Sequence, residues 1–310
     1  MTILVAVATG LVGSAIVRAF KSEGFEVVGA NRAIVDLQDE KATFSFINSI
    51  KPKMIIDAAA RVGGIGANSK FPVEFLSENL TIQGNLMKAA FQVGVEKFIF
   101  LGSSCIYPRD CIQPIKEEYL MSGPLEPSNS AYAIAKIAGI ELINSYRREF
   151  GLKWISLMPT NLYGPNDNFI YNESHVLPAF VRRFVDATAD NLPSVEMWGT
   201  GSPLREFLHA DDLARAVVIA SQSYDSELHL NIGTGIETSI KELAALVSNL
   251  SGFRGTINWD HTKPDGTPRK VLDISRVSDL GWKPTITLED GIASTISWYK
   301  NASARGEIRK

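Results

Sequence analysis

The chain has 310 residues, of which 45% are hydrophobic, enough to bury one large core or two modest ones. Its 31 Lys and Arg against 34 Asp and Glu give a net charge of -3 with no block of like charge. Neither nucleic acid nor an anionic membrane is therefore expected as a partner, and small polar metabolites are the expected ligands. The opening run Met1-Thr2-Ile3-Leu4-Val5-Ala6-Val7 lacks the basic region and cleavage site of a secretion signal, and no apolar run reaches the roughly 18 residues of a membrane span. A cytoplasmic protein is expected, with Cys105 and Cys111 as reduced thiols. No His or Cys cluster has metal-ligand spacing, so no metal is expected.

Residues 2–7 read as a strand, and Thr9-Gly10-Leu11-Val12-Gly13-Ser14 as a turn opening an amphipathic helix that lasts to about Glu23. Strands at 25–29, 54–58, 98–101 and 154–158 then alternate with helices at 39–50 and 72–91 and with one that carries Tyr132 and runs to about Phe150. That alternation argues for an α/β fold with a parallel, doubly wound sheet. Further on, helices are legible at 176–190, 212–223 and 239–250 and a strand at 229–232. More than half of the prolines lie at or after Pro159, consistent with a second, loop-rich part closing over the sheet edge. No internal repeat is present.

In an open parallel sheet, ligands bind past the carboxyl ends of the strands. Gly102-Ser103-Ser104-Cys105 follows directly on an apolar strand and so sets two hydroxyls and a thiol at that edge. Tyr132 and Lys136 stand four residues apart on a helix and project from one face. A Ser, a Tyr and a Lys then converge. A dinucleotide site needs a strand leading into a helix, with glycines where side chains would block a pyrophosphate from the helix amides. Gly10 and Gly13 fit the last two positions of G-x-x-G-x-x-G, while Val7 occupies the first, a departure from the pattern. The second strand ends Gly29-Ala30-Asn31-Arg32, without the acid that binds a ribose diol. An arginine suits a 2′-phosphate, which favours NADP(H) over NAD.

These features, with Arg205-Glu206-Phe207-Leu208-His209-Ala210-Asp211-Asp212, resemble the extended short-chain dehydrogenase/reductase superfamily. Within it the chain resembles the GDP-L-fucose synthase family over nearly its whole length. The matching blocks are 58–65, 102–108, 132–136, 158–165 with Asp167-Asn168-Phe169, Ser174-His175-Val176, and 263–270. The resemblance implies a Rossmann-type sheet over 1–160 with a return segment at about 205–233, a smaller substrate-binding domain over 161–204 and 234–310, and a homodimer. It implies conversion of GDP-4-keto-6-deoxy-D-mannose to GDP-L-fucose by inversion at C3 and C5 and reduction at C4 with NADPH.

By the same resemblance, the catalytic residues are Ser103, Cys105, Tyr132, Lys136 and His175. The cofactor would be held by Val7, Gly10, Leu11, Val12 and Gly13, by Arg32, Asp36 and Leu37, by Leu101, Gly102, Ser103 and Ser104, and by Lys136, Pro159, Thr160, Asn161, Leu162 and His175. Arg183, Trp198, Arg205 and Asp265 would meet the GDP-sugar. Arg182, Arg269 and Lys270 stand open between the site and the surface.

The chemistry suits these residue types. Charge develops on the ketone oxygen both in reduction and in enolisation, so the Ser103 and Tyr132 donors serve every step. A nearby ammonium, Lys136, favours the phenolate of Tyr132. Inversion adds a base on one face and an acid on the other: Cys105, as a thiolate, and His175, which titrates near neutrality. A 4,6-dehydratase would carry an Asp-Glu pair where Ser104-Cys105 stands, and a simple 4-epimerase has no use for Cys105 with His175. An epimerase/reductase of a related GDP-keto sugar would use the same five residues, and a non-catalytic NADP-binding regulator would have no need of them. Arg32→Ala is expected to weaken NADPH binding about tenfold or more and NADH binding little, because a charged hydrogen bond is worth ~1.5–3 kcal/mol. Fluorescence titration of both cofactors checks this, and equal losses would refute a 2′-phosphate contact.

Overall fold

The computed structural model describes residues 1–171, 174–263 and 265–308, so Pro264 of the 263–270 block lies outside the described residues. Its strands are β1 (Thr2–Ala6), β2 (Glu26–Gly29), β3 (Met54–Asp57), β4 (Lys97–Leu101), β5 (Ile155–Pro159), β6 (Asn161–Tyr163), β7 (Ser194–Trp198), β8 (Leu204–His209), β9 (Leu230–Ile232), β10 (Glu237–Ser239), β11 (Thr256–Asp260) and β12 (Arg269–Lys270). Its helices are α1 (Leu11–Ser22), α2 (Glu40–Ile50), α3 (Ile65–Lys70), α4 (Pro72–Val93), α5 (Ser130–Phe150), α6 (Val176–Ala189), α7 (Ala210–Ser223), α8 (Ile240–Ser251), α9 (Ser275–Asp279) and α10 (Leu288–Ala304).

The main sheet runs β2-β1-β3-β4-β5-β9, all parallel. The chain leaves β1 toward one edge and returns across it to β3, which opens a crevice at the carboxyl ends of those strands. Because successive side chains alternate between faces, the apolar runs of β1 to β5 feed two cores. Ile3, Val5, Ile56 and Leu157 pack under α1 and α7, while Leu4, Ile55, Phe98 and Phe100 pack under α2, α4 and α5. This is the doubly wound α/β sheet expected from the alternation.

A third core gathers Leu177, Val181 and Phe184 of α6 with Leu243 and Val247 of α8, Ile292 and Ile296 of α10, and Met197 of β7. Over it lie two small sheets: β8 paired with β6, β10 and β12, and β7 with β11. Residues after β12 cross back to the main sheet, where Leu272 joins one core and Val277 and Trp282 the other. Helix α10 has no counterpart in the sequence reading. Its buried positions are Gly291, Ile292, Thr295, Ile296, Tyr299 and Ala302, a face in which Ile292, Ile296 and Tyr299 at helical spacing alternate with small or polar residues. No helix among the described residues is long and apolar enough to cross a membrane.

One carboxylate ties the two parts together. Glu206 on β8 is fully buried and accepts N–H bonds from Thr234 (2.5 Å) and Gly235 (2.6 Å) after β9 and from Leu272 (3.1 Å) after β12. A Cβ at position 233 would lie 2.3 Å from its Oε1, so that turn requires Gly233. Glu206→Ala would strand the buried Leu272 N–H at ~1–3 kcal/mol and free the half-buried Thr234 and Gly235 N–H groups to water at less, and should lower unfolding stability by about 2–3 kcal/mol. A urea titration followed by circular dichroism tests it; a loss under about 1 kcal/mol would mean water replaces the carboxylate freely.

Candidate active site

The turn after β1 puts Val7 at φ 59°, in the left-handed region that a β-branched side chain avoids. Its carbonyl oxygen sits 2.0 Å from where a Gly13 Cβ would be, so α1 can pack on this turn only with glycine there. Gly10 caps α1 without a side-chain bond, and the first turn closes with Ser14 N–H donating to the Gly10 carbonyl at 3.0 Å. The amides of Leu11, Val12 and Gly13 are the helix's unpaired first-turn donors, a fit for a pyrophosphate.

Past β2, Asn31 Oδ1 accepts from the N–H groups of Ala33 and Ile34, and exposed Arg32 makes no ion pair among the described residues. Asp36 caps its own turn through Gln38 N–H at 3.1 Å, and the carbonyl of buried Leu37 accepts from Asn85 at 2.9 Å. A free guanidinium beside orphan helix amides suits a 2′-phosphorylated dinucleotide. At the end of β5, Thr160 and Asn161 both donate to the Glu206 carbonyl, which seats Pro159 to Leu162 across the sheet edge.

Ser103 ends the extended run of β4 and buried Ser104 begins a short 3-10 turn, which brings the Cys105 thiol to Ser103 Oγ at 2.9 Å. Tyr107 holds this segment down: its hydroxyl donates to Asn231 Oδ1 at 2.5 Å and lies 2.8 Å from His229 Nε2. From α5, buried Lys136 donates to the Leu101 carbonyl at 2.9 Å, with its ammonium 4.7 Å above the Phe100 ring and 5.9 Å from the Tyr132 ring. Gly102 completes the strand end, its N–H bonded to the Leu157 carbonyl.

Charges meet at Cys105. Its thiol faces Tyr132, Lys136 and Lys270 together, and Lys270 in turn faces His175 and Arg205. Burial, then the Cys105 and Asp57 charges, push the Tyr132 phenol well above its ordinary value, so it rests as a neutral acid. Desolvation and then the Lys270 charge lower the His175 pKa, but the side chain is exposed just before α6, so the desolvation is weak and the Lys270 charge is the cause that stands.

A narrow cleft opens beside Cys105 between Glu126, Asn129, Thr267 and Lys270. Arg205 is largely desolvated, which lowers its pKa against the opposing charges of Glu126 and Asp265. Arg183 is tied to the Glu196 carbonyl at 2.5 Å, and exposed Trp198 stands 5.6 Å from the Lys263 ammonium. Both oxygens of Asp265 are taken by Thr200, at 2.7 and 2.8 Å, so it braces the turn after β7. Arg182 packs over Tyr171 away from the cleft, while Arg269 and Lys270 both line it, Arg269 with its guanidinium paired to Glu237.

Residues 3–233 match the profile of the NAD dependent epimerase/dehydratase family. The chain belongs to this family. It is 52% identical over 305 residues to GDP-L-fucose synthase 1 of Arabidopsis thaliana, covering 98% of this chain and 94% of that protein. Among solved structures, a GDP-L-fucose synthetase from Naegleria fowleri bound to NADP superposes with a TM-score of 0.90 at 30% identity, covering 100% of this chain and 96% of that one. A GDP-6-OMe-4-keto-L-xylo-heptose reductase from C. jejuni superposes with a TM-score of 0.91 at 35% identity, covering 97% of each chain.

Two members of the cluster carry no clear signature in this epimerase/dehydratase sequence. Lys270 sits in a basic pair whose other half is a surface ion pair, and only folding separates them. Asp57 ends an apolar strand as an isolated acid, and only the fold sets it beside Lys136.

Val7→Gly is expected to raise stability by about 1 kcal/mol, the relief of left-handed strain less the entropy of an added glycine. It should also tighten NADPH binding, with turnover at saturating cofactor unchanged. Thermal unfolding and a cofactor titration measure both effects, and unchanged or weaker NADPH binding would mean that the loop is already adapted to valine.

Proposed function

We infer that this chain is an NADPH-dependent enzyme that inverts C3 and C5 of GDP-4-keto-6-deoxy-D-mannose and reduces C4, forming GDP-L-fucose. The observation that carries the reading is the thiol-centred cluster: Cys105 against Ser103, facing Tyr132, Lys136 and Lys270 at the carboxyl edge of the sheet. Whole-chain identity of 52% to a GDP-L-fucose synthase favours this sugar over a GDP-heptose, for which the comparable figure is 35%. NADPH, when bound, supplies the hydride. The free amides of Leu11 to Gly13 would hold its pyrophosphate, Arg32 its 2′-phosphate and Lys136 its nicotinamide ribose.

A C4 ketone acidifies the protons on both C3 and C5, and removal of either puts charge on the same oxygen. Ser103 and Tyr132 donate to that oxygen throughout, and Tyr132, held as a neutral phenol, gives its proton when the alcohol forms. Cys105, acting as a thiolate with two ammonium groups facing its sulfur, takes the carbon-bound proton and is left as a neutral thiol. His175 returns a proton on the opposite face. A pyrophosphate arriving at Arg205 and Lys270 offsets the positive charge that disfavours the His175 imidazolium, so substrate binding itself arms the acid.

Residues 1–160 with 205–233 serve as the cofactor-binding half, and 161–204 with 234–310 as the sugar-nucleotide half. The enzyme works in the cytoplasm as a homodimer. Support for the dimer comes from exposed apolar side chains on α4 and α5, where Phe91 and Phe150 meet as a tilted pair at 4.4 Å and Leu80 and Ile134 are exposed farther along the same two helices.

The test is incubation with NADPH and GDP-4-keto-6-deoxy-D-mannose, with the product sugar identified by NMR. GDP-L-fucose is expected, and no NADPH oxidation with this ketone would overturn the reading. In the same assay Cys105→Ser should slow double inversion at least a hundredfold, general-base help being worth ~10²–10⁴. C4-reduced sugar that is not inverted at C3 and C5 would then accumulate.

A further inference from the structure

Lys136 is 2% exposed and makes one hydrogen bond, to the Leu101 carbonyl. An ammonium so placed has lost most of its hydration, and burial alone drives it toward the neutral amine. Asp57 lies under the same site. It ends β3 in register with Phe100, the ring that Lys136 caps, and is 0% exposed. Its Oδ1 accepts the Ala59 N–H at 3.0 Å, and its Oδ2 has no hydrogen-bond partner. The two groups face each other across more than a contact distance, with no ion pair between them among the described residues.

We propose that Asp57 is the buried counter-charge that keeps Lys136 an ammonium, and is thereby a positioning residue that sets the pH range of ketone reduction. The proposal rests on the epimerase/reductase reading for its consequence, but the pairing stands on the fold alone. A carboxylate that served only to cap the turn at Ala59 would need one oxygen, yet the second is kept dry and unpaired on the face of the sheet that carries Lys136. The ionisable groups facing Lys136 are Asp57 from β3 and Cys105 from the segment after β4, and both favour its charge. Asp57 is faced by Lys136, which partly offsets the burial that lifts the carboxyl to about 6. Tyr132, one turn earlier on α5, is faced by Cys105 and Asp57, which help keep it a phenol. Glu78 and Arg61 nearby are paired to each other at 2.8 Å. Asn79 and Gln83, buried on α4, are uncharged.

The signs follow. Asp57 raises the pKa of Lys136, so its loss lets the ammonium deprotonate at lower pH, and the alkaline limb of the reduction moves toward acid. Reciprocally, loss of Lys136 removes the charge that holds the Asp57 carboxyl down, and its midpoint rises.

Two measurements decide the matter. In protein labelled with 13C at aspartate carboxyls, one buried carboxyl should titrate near 6, and in Lys136→Met its midpoint should rise by about one unit or more, as expected when an opposite charge within a few ångströms is removed. An unmoved midpoint overturns the pairing. In Asp57→Asn, with the smaller Asp57→Ser as a second variant, the alkaline limb of kcat for NADPH oxidation should shift down by about one pH unit with KM for the sugar nearly unchanged. A profile identical to the parent enzyme's in either folded variant refutes the role. If the parent enzyme itself fails to oxidise NADPH with this ketone, the functional reading falls, while the carboxyl titration still decides the pair.

Discussion

The buried carboxylate of Glu206 is the constraint on which the arrangement of this chain depends. It gathers the turn after β9, the segment after β12 and strand β8 around two oxygen atoms that water does not reach. A buried carboxylate is costly unless its lone pairs are filled, and here backbone amides fill them, so the desolvation penalty locks the geometry rather than opposing it. The next residue of β8 but one to the N-terminal side of Phe207 is Arg205, which points the same strand at the cleft. The same run ends in Asp212, whose carboxylate accepts the N–H groups of Thr285 and Ile286 at 3.0 Å each and so ties the C-terminal segment onto α7. Structural clamps and a phosphate-seeking arginine thus share one short stretch.

Burial governs the site as well. Tyr132 stays a phenol and Lys136 needs help to stay charged because both are withdrawn from water before any substrate arrives, whereas His175 is exposed and answers to the Lys270 charge. A dry site strengthens each remaining charge, so one thiol, one carboxylate and two ammonium groups control one another over short distances. Entry of a dianionic pyrophosphate would reset that balance at the cationic end.

Strain and order are placed side by side at the cofactor end. Val7 holds a left-handed conformation next to the helix start whose amides the pyrophosphate would meet, while Gly13 allows the closest backbone approach in the turn. The turn keeps its path although a residue unsuited to it stands in the first position, because β1 on one side and α1 on the other leave no alternative route.

What the sequence determined by itself is whatever depends on local period and local chemistry. The apolar runs of β1 to β5 and the periodic faces of α1 and α5 require an alternating, doubly wound sheet, since each stretch carries its own side-chain repeat. The placement of Gly10, Gly13, Ser103, Tyr132 and Lys136 was legible because it follows from spacing along one element or at one strand end. Helix α10 was not, since small and polar Gly291, Thr295 and Ala302 interrupt the apolar line of Ile292, Ile296 and Tyr299. Nor were the surroundings of Asp57 and Lys270, because each depends on what another part of the chain puts beside it. Asp57 acquires meaning from a lysine 79 positions away on α5, and Lys270 from a thiol brought in by β4. The tertiary structure decided these, and with them the direction in which Tyr132 and Lys136 are shifted, because desolvation is a property of the assembled fold and of no single segment.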